Sequence, residues 1–161
     1  MDSKRLLELL QKDGRQTPAR LAVLLGASEQ EVCDEIARLE KEGVVLGYPA
    51  LIDWDKTERE AITALIEVKV TPQRGEGFDS IAERIYRFPE VTGVYLMSGG
   101  FDLTVFIEGK SIKEVAMFVS GKLAAMEGVL STATHFVLKK YKENGIFMES
   151  EKKDERMLVS P

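Results

Sequence analysis

The chain has 161 residues, of which 44% are hydrophobic and 30% are charged, and its net charge is −5. This composition excludes an intrinsically disordered protein, and the acidic balance excludes a polyanion-binding surface spread over the whole molecule. Any contact with a nucleic acid must therefore be local.

The sequence also argues against a membrane protein and against a metal site. The longest apolar run is far shorter than the roughly 18–20 residues that span a bilayer, and residues 1–5 lack the apolar block of a signal peptide, so we expect a cytoplasmic protein. One cysteine, Cys33, and one histidine, His135, leave no disulfide framework and no zinc cluster. We expect neither a metal nor another cofactor.

The first two helical patterns are short. Leucines at helical spacing between residues 6 and 10 follow Asp2, a suitable N-cap, and predict the first helix. Thr17 and Pro18 begin the second, because threonine caps a helix and proline is tolerated in its first turn. Gly26 ends this second helix.

The third helical pattern follows after a very short connection. Ser28 and Glu31 have the spacing of a capping box, and apolar residues at helical spacing continue to Gly43. A two-residue connection between the second and third helices fits a helix-turn-helix better than a loose bundle. Residues 44–53 have the pattern of extended chain with a glycine-marked turn, which is where a wing would lie.

A polar segment, residues 53–60, separates this 1–52 region from a second domain, residues 61–141. Apolar residues alternate over 62–70 and predict a strand. The later predicted elements are a helix over 78–88 stopped by Pro89, strands over 91–98 and 101–108 joined across Gly99-Gly100, a helix over 112–126 and a strand over 129–138.

The order β-α-β-β-α-β predicts a ferredoxin-like domain of class α+β, with both helices on one face of a four-stranded sheet. The candidates for the other face, depending on which strand parity points outward, are Leu65, Val94, Leu96, Phe106 and Val137. So much apolar surface predicts a dimer in which two sheets pack face to face. Alternatively, the N-terminal helices cover this face.

Residues 142–161 are predicted to be a charged tail whose 149–156 stretch is solvated, although residues 157–159 could dock on a neighbour.

Together these features resemble the Lrp/AsnC (feast/famine) family of prokaryotic transcriptional regulators. The resemblance covers residues 1–141, and its specific parts are residues 9–15, 39–48 and 98–102. It implies a winged helix-turn-helix followed by a βαββαβ domain, in a homodimer that often assembles into an octamer. It also implies binding to double-stranded operator DNA and regulation by an amino-acid effector.

The third helix is the candidate DNA-reading element, because a recognition helix reads base edges with its exposed N-terminal half. From residue 28 to residue 43 there are two basic and six acidic residues, a net charge of −4, which departs from the family. Glu29 and Glu31 could instead serve only to cap the helix. The candidate DNA-binding residues are Thr17, Ser28, Gln30, Glu31, Cys33, Asp34, Arg38 and Lys41.

The glycine-rich turn of the second domain is the candidate effector site. Glycine N–H groups can approach a carboxylate closely, and Asp102 can hold an ammonium group, which together suit a free amino acid. In the family that this chain resembles, the same turn contributes to the amino-acid pocket. The candidate effector residues are Ser98, Gly99, Gly100, Phe101 and Asp102, with Leu96, Thr132 and Thr134 from adjacent strands. Alternatively, the two glycines only make a tight hairpin that Asp102 caps.

Catalysis is not expected. Cys33 and His135 are predicted in different domains, so they form no nucleophile–base pair, and Gly75-Glu76-Gly77 lacks the remaining positions of a phosphate-binding loop. The closer alternative to a DNA-binding regulator is an amino-acid-binding assembly protein that has lost strong DNA binding, as the acidic third helix would permit.

Overall fold

The structure, a computed structural model, describes residues 1–59, 61–71 and 77–148. It divides into two compact units, Met1–Ile52 and a second unit that begins at Asp53. No helix within the described ranges is long and apolar enough to cross a membrane. The predicted solvated stretch 149–156 and the segment 157–159 lie outside the described residues, as do Gly75 and Glu76.

The first unit consists of three helices, α1 (Ser3–Lys12), α2 (Pro18–Leu25) and α3 (Glu29–Lys41). The predicted caps are confirmed: Asp2 and Thr17 accept hydrogen bonds from backbone N–H groups of α1 and α2, and Gly26 ends α2 in the left-handed region at φ 62°. One apolar cluster holds the three helices together, and its buried members are Leu6, Leu10, Leu21, Ala22, Val32 and Leu39. Residues 44–53, the predicted wing, form no strand.

The second unit confirms the predicted β-α-β-β-α-β order. After a short 3₁₀ turn (Trp54–Lys56), its elements are β1 (Ile62–Val70), α4 (Asp79–Tyr86), β2 (Val91–Leu96), β3 (Leu103–Gly109), α5 (Ile112–Phe118) and β4 (Val129–Phe136). The four strands form an antiparallel sheet in the order β2-β3-β1-β4. The predicted helix over 112–126 changes at Val119–Leu123 into a π-helical turn.

Both helices cover the same face of the sheet, as predicted. Alternate residues of β1, such as Ile66 and Val68, are fully buried in one cluster with Ile85 of α4 and Val115 of α5. The opposite side, which we call the open face, contains Leu65, paired in register with Phe106. This alternation follows from the two-residue repeat of a strand and fixes which side chains α4 and α5 can cover.

The prediction that Val94 and Leu96 lie on the open face is wrong. The register of β2 shifts between Val91 and Gly93, so that Val94 lies opposite the buried Val105 and packs against the core. Leu96 lies opposite the buried Leu103 and so is on the helix side as well. A bulge adds one residue to one strand of a pair, which reverses the faces that the following residues occupy.

Residues 142–147, predicted as the start of a charged tail, form a β-hairpin instead. Its strands are β5 (Lys142–Glu143) and β6 (Ile146–Phe147), which pair with each other and, within the described ranges, with no other strand. Asn144 and Gly145 connect them with φ of 48° and 82°. An Asn-Gly pair with positive φ at both residues is typical of a two-residue hairpin turn, so the sequence did contain a signal for this element.

Candidate functional site

The short connection between α2 and α3 presents one side of α3 to solvent. Val32 and Leu39 are buried in the core of the first unit, whereas the candidate DNA-binding residues of α3 are exposed. These exposed candidates are Gln30, Glu31, Cys33, Asp34, Arg38 and Lys41. The structure therefore brings them together on one helix surface, as a recognition helix requires.

Three of the candidates also cap the helices on which they lie. Ser28 Oγ accepts from the backbone N–H of Glu31, and the Ser28 N–H donates to Glu31 Oε2 at 2.8 Å. The Ser28 hydroxyl also donates to Glu31 Oε2 at 2.7 Å, and the hydrogen bonds to this carboxylate, first from the backbone and then from the side chain of Ser28, lower the pKa of Glu31. Thr17 Oγ1 accepts from the N–H of Arg20 in the same way at the start of α2. The alternative interpretation of Glu31 as a capping residue thus describes a contact that the structure contains.

Arg38 is held by two carboxylates on its own helix. Its guanidinium donates to both carboxylate oxygens of Glu35, at 2.9 and 2.6 Å, and to Glu42 at 2.6 Å. The hydrogen bonds that Arg38 donates to Glu35, and then to Glu42, raise the pKa of Arg38. The principal cation of the predicted DNA-reading surface is therefore already neutralised within the protein.

Glu35 connects α3 to the N-terminus of the chain. Ser3 Oγ donates to Glu35 Oε1 at 2.5 Å, and the hydrogen bonds from Arg38 and then Ser3 lower the pKa of Glu35 to about 2. A groove of about 320 Å³ lies beside this contact and is lined by Met1, Glu31, Asp34, Glu35 and Arg38. The first residues of the chain thus lie next to the predicted DNA-reading surface.

The remaining polar contacts on this surface leave three cations for phosphate. Gln30 Nε2 donates to Asp34 Oδ1 at 2.8 Å, so the amide predicted to read adenine has a partner on its own helix. Arg15, which precedes α2, has a side chain that is 93% exposed, and its Nε lies 3.4 Å from Asp13 Oδ1. Arg20 and Lys41 are also exposed. These three side chains are the exposed cations on and beside α2 and α3, apart from the paired Arg38, that can donate to a phosphate backbone.

Tyr48 fixes the segment after α3, a role that sequence reasoning missed. Its hydroxyl donates to Glu40 at 2.8 Å, and its ring packs over Gly14 so closely that a Cβ there would lie 2.9 Å from the ring. Burial and then the hydrogen bond to Glu40 raise the pKa of Tyr48. The contact between the Tyr48 ring and Gly14 therefore positions the predicted wing. Gly14 is the sequence signal for this contact, because a larger residue there would collide with the ring.

The candidate effector turn is longer than the predicted two-residue hairpin. The Met97 N–H donates to the Asp102 carbonyl, closing a loop that contains Ser98, Gly99, Gly100 and Phe101. A Cβ built on either glycine meets no atom within 4 Å, so open space surrounds this turn. Ser98, Gly99 and Gly100 are thus exposed to a ligand, whereas Phe101 is half-buried.

Asp102 anchors this turn to the end of β1. Its Oδ2 accepts from the N–H of Val70 at 2.9 Å, and its own N–H donates to the carbonyl of Val68 at 3.1 Å. One carboxylate oxygen thus has a structural partner, as the alternative interpretation of Asp102 as a cap expects. The half-buried carboxylate remains next to the two glycines.

The sheet register separates the other candidate effector residues from one another. Leu96, Leu103, Val68 and Thr132 form one row across the four strands, so Leu96 and Thr132 lie at opposite edges. Three strand spacings place them about 14 Å apart, farther than a free amino acid reaches. Thr134 is two residues beyond Thr132 on the same edge strand. Within one copy of the chain, Leu96 therefore lies next to the turn, whereas Thr132 and Thr134 lie at the opposite edge of the sheet.

A cleft of about 620 Å³ lies at the other end of β3 and contains none of the predicted effector residues. Its charged lining residues are Glu58, Arg59, Glu90, Glu108, Lys110 and Glu114. Lys122 donates to Glu90 Oε1 at 2.6 Å, which lowers the pKa of Glu90, while the buried Glu90 Oε2 has no hydrogen-bond partner among the described residues. Carboxylates outnumber cations here, so this cleft does not suit an anion.

Comparisons with known families match both units. The family model described as "Lrp/AsnC ligand binding domain" matches residues 63–147, and the model described as "Winged helix-turn-helix DNA-binding" matches residues 3–45. The first match includes the hairpin β5–β6, beyond the 141 residues that the sequence motifs covered.

Three individual proteins are similar over most of their length. The chain is 51% identical to the uncharacterised HTH-type transcriptional regulator YugG of Bacillus subtilis, covering 97% of this chain and 95% of that protein. It is 30% identical to the HTH-type transcriptional regulator FL11 of Pyrococcus furiosus, covering 87% and 89%. Its fold matches that of a Neisseria meningitidis transcriptional regulator in complex with L-Met, with a TM-score of 0.71, 24% identity and coverage of 88% and 90%.

Proposed function

This chain belongs to the Lrp/AsnC family of transcriptional regulators, and from that premise we propose that it binds operator DNA through α3 and responds to a free amino acid. It is a regulator and not an enzyme. We place its action in the cytoplasm and its working unit in a homodimer that assembles further, up to an octamer. The single observation that carries the DNA-binding proposal is the exposed surface of α3 after the three-residue connection from α2.

DNA binding by one such surface is proposed to be weak. Phosphate contacts supply much of the affinity of a DNA-binding protein, and Arg38 is occupied by Glu35 and Glu42. Arg15, Arg20 and Lys41 remain as phosphate donors, while Gln30, Cys33 and Asp34 remain as base-reading candidates. Several surfaces joined in one assembly would raise the effective concentration of each at its half-site, which compensates for weak individual contacts.

The homodimer is proposed to form through the open face of the sheet. Tyr95 and Phe106 pack edge to face there, with ring centroids 5.9 Å apart, and Tyr95 is 57% exposed. Leu65 lies beside Phe106 in register. A partly exposed aromatic and aliphatic patch on a sheet is typical of a protein–protein interface, and an identical patch on a second copy completes a two-sheet sandwich.

The effector is proposed to bind at the turn of Ser98–Asp102, next to Leu96. The glycine backbone is open to a carboxylate, and the carboxylate of Asp102 is available to an ammonium group through its second oxygen. The fold similarity to a regulator solved in complex with L-Met supports an amino acid as the ligand class. Thr132 and Thr134 belong to this proposal only as residues contributed by another copy of the chain.

The DNA-binding proposal is tested by fluorescence anisotropy with duplex DNA from around the protein's own gene, across a range of salt concentrations. We expect the binding constant to fall as salt rises, because phosphate contacts release counterions. Arg15→Ala should reduce the slope of log K against log salt by about one. Arg87→Ala is the matched control, since this exposed arginine lies in the second unit and pairs with a surface carboxylate, Glu83.

The contrary result defines the second candidate function. The pairing of Arg38 with Glu35 and Glu42 favours an amino-acid-binding assembly protein without strong operator recognition. Absence of salt-sensitive DNA binding at low salt, together with a melting temperature raised by an amino acid, would establish that alternative and reject the first proposal.

A further inference from the structure

We propose that Asp34, held in position by Gln30, reads the N4 amino group of a cytosine, so that each operator half-site of this protein contains a C·G pair opposite Asp34. This inference rests on the proposed DNA binding and deepens it, because it names the base that α3 selects. Asp34 is the residue that touches the base, and Gln30 is a positioning residue.

Both side chains lie at the centre of the solvent-exposed side of α3. At roughly 3.6 residues per turn, residues 30, 34, 37 and 41 form one line along the helix, about opposite the buried Val32. All four residues of this line are exposed. A recognition helix contacts base edges mainly with the N-terminal part of such a surface. Gln30 and Asp34 are therefore the side chains of the line that are placed over the bases.

The carboxylates that flank this line already have partners. Glu31 Oε2 accepts from both the N–H and the hydroxyl of Ser28. Both carboxylate oxygens of Glu35 accept from the guanidinium of Arg38. These contacts are made within the protein and would have to break before either residue could accept from a base. Asp34 is the carboxylate on the line itself and is not held in this way.

The hydrogen bond from Gln30 orients the Asp34 carboxylate and leaves one of its oxygens available. Gln30 Nε2 donates to Asp34 Oδ1 at 2.8 Å, across one turn of the helix. The other oxygen, Oδ2, takes part in none of the hydrogen bonds among the described residues. An ionised carboxylate can accept at both oxygens, so Oδ2 can receive a donor from outside the protein.

A carboxylate that can only accept hydrogen bonds selects one kind of base edge. In the major groove, cytosine presents its N4 amino group as a donor, whereas guanine and thymine present acceptors. Adenine presents an amino group but also its N7 acceptor, which would lie beside the same negative charge. Cytosine is therefore the base that suits Asp34 best.

The first test selects bound duplexes from a pool with a random central segment, using the full chain, and sequences them. We expect the wild type to enrich a C·G pair at one position of each half-site and Asp34→Asn to reduce that preference by about tenfold or more, the usual effect of losing one base contact. The matched control is Glu29→Gln, which removes an exposed carboxylate from the first turn of the same helix, off the line. It should raise affinity for all duplexes alike and leave the enriched sequence unchanged.

The second test measures anisotropy with one enriched duplex in which a single base is altered. N4-methylcytosine replaces the groove-facing hydrogen of the amino group, so it should weaken wild-type binding about tenfold and affect Asp34→Ala little. 7-Deazaguanine in the paired strand removes only the guanine N7 acceptor and should have no effect on the wild type. Gln30→Ala should reduce the preference for cytosine over N4-methylcytosine while the slope of log K against log salt stays constant, because Gln30 is assigned no phosphate contact.

Each contrary result identifies a different failure. Salt-sensitive binding without a preference for cytosine, or with N4-methylcytosine bound equally well, rejects the role of Asp34 and leaves DNA binding by α3 intact. A preference for adenine that Gln30→Ala removes and Asp34→Asn retains assigns the reading to Gln30 and likewise rejects the proposal. Absence of salt-sensitive binding to every duplex rejects DNA binding itself, and this inference with it.

Discussion

Glu35→Gln combined with Glu42→Gln is expected to tighten DNA binding by about ten- to a hundredfold near 0.1 M salt, because an additional phosphate contact at that salt strengthens binding roughly tenfold. The two carboxylates hold the Arg38 guanidinium through three hydrogen bonds on the surface proposed to read DNA. Glutamine removes both negative charges and releases Arg38 to a phosphate. It keeps an oxygen that can accept from Ser3, so the helix contact at Glu35 is preserved.

The measurement is anisotropy with the same duplex at several salt concentrations, and the improvement in affinity should shrink as salt rises. The control is Glu8→Gln with Glu83→Gln, which removes two carboxylates that also pair with exposed arginines on their own helices. Adding Arg38→Ala to the first pair should cancel the part of the improvement due to the released guanidinium. Because the pKa of Glu35 is about 2, that residue stays ionised at every pH at which DNA binding is measured, and acidification is no substitute for the mutation. An unchanged affinity, or an improvement equal to that of the control, would contradict this role for the two carboxylates.

Asp102 is expected to combine a structural and a binding role, which two substitutions separate. Asp102→Ala leaves the N–H of the buried Val70 without its acceptor and should lower the free energy of unfolding by about 1–3 kcal/mol. Asp102→Asn keeps an acceptor oxygen for Val70 and should be nearly as stable as the wild type. Both should weaken binding of the amino-acid effector by at least about tenfold, because both remove the charge that would pair with its ammonium group.

The measurements are chemical denaturation for stability and calorimetric titration of amino acids selected by thermal shift. A suitable control for the site is Thr92→Val, an exposed β2 residue whose hydroxyl donates to the Phe106 carbonyl, remote from the turn. If Asp102→Asn binds the effector as the wild type does, the effector site lies elsewhere and Asp102 is only the cap of the turn. The expected loss of unfolding free energy in Asp102→Ala holds in either case, because it depends only on the hydrogen bond to Val70.

Local features of the sequence were sufficient to predict most of the architecture. The caps at Asp2, Thr17 and Ser28 are set by side-chain chemistry within three residues, so they could be identified without knowledge of the fold. The change from helical to alternating periodicity likewise predicted β1 and the order of the elements that follow. The spacing of Glu35, Arg38 and Glu42 also places them on one side of a helix, so their pairing was accessible to sequence reasoning.

Features that depend on pairing between strands were not accessible in this way. The bulge between Val91 and Gly93 reversed the face of Val94, and although a glycine inside a strand often marks a bulge, Gly93 alone does not fix the register of β2. The distance between Leu96 and Thr132 depends on the strand order β2-β3-β1-β4, in which two buried strands separate them. The hairpin at 142–147 was missed for another reason, because its lysines suggested a solvated tail although Asn144-Gly145 is a strong turn signal.

The hydrogen bond from Ser3 to Glu35 has a practical consequence for the preparation of this protein. Because Met1 lines the groove beside Glu31, Asp34 and Arg38, any extension fused to the N-terminus would begin at the surface proposed to read DNA. A polyhistidine tag there would add titratable imidazoles next to an acidic helix and would alter its apparent affinity in a pH-dependent manner. Binding constants should therefore be measured on protein without an added N-terminal tag.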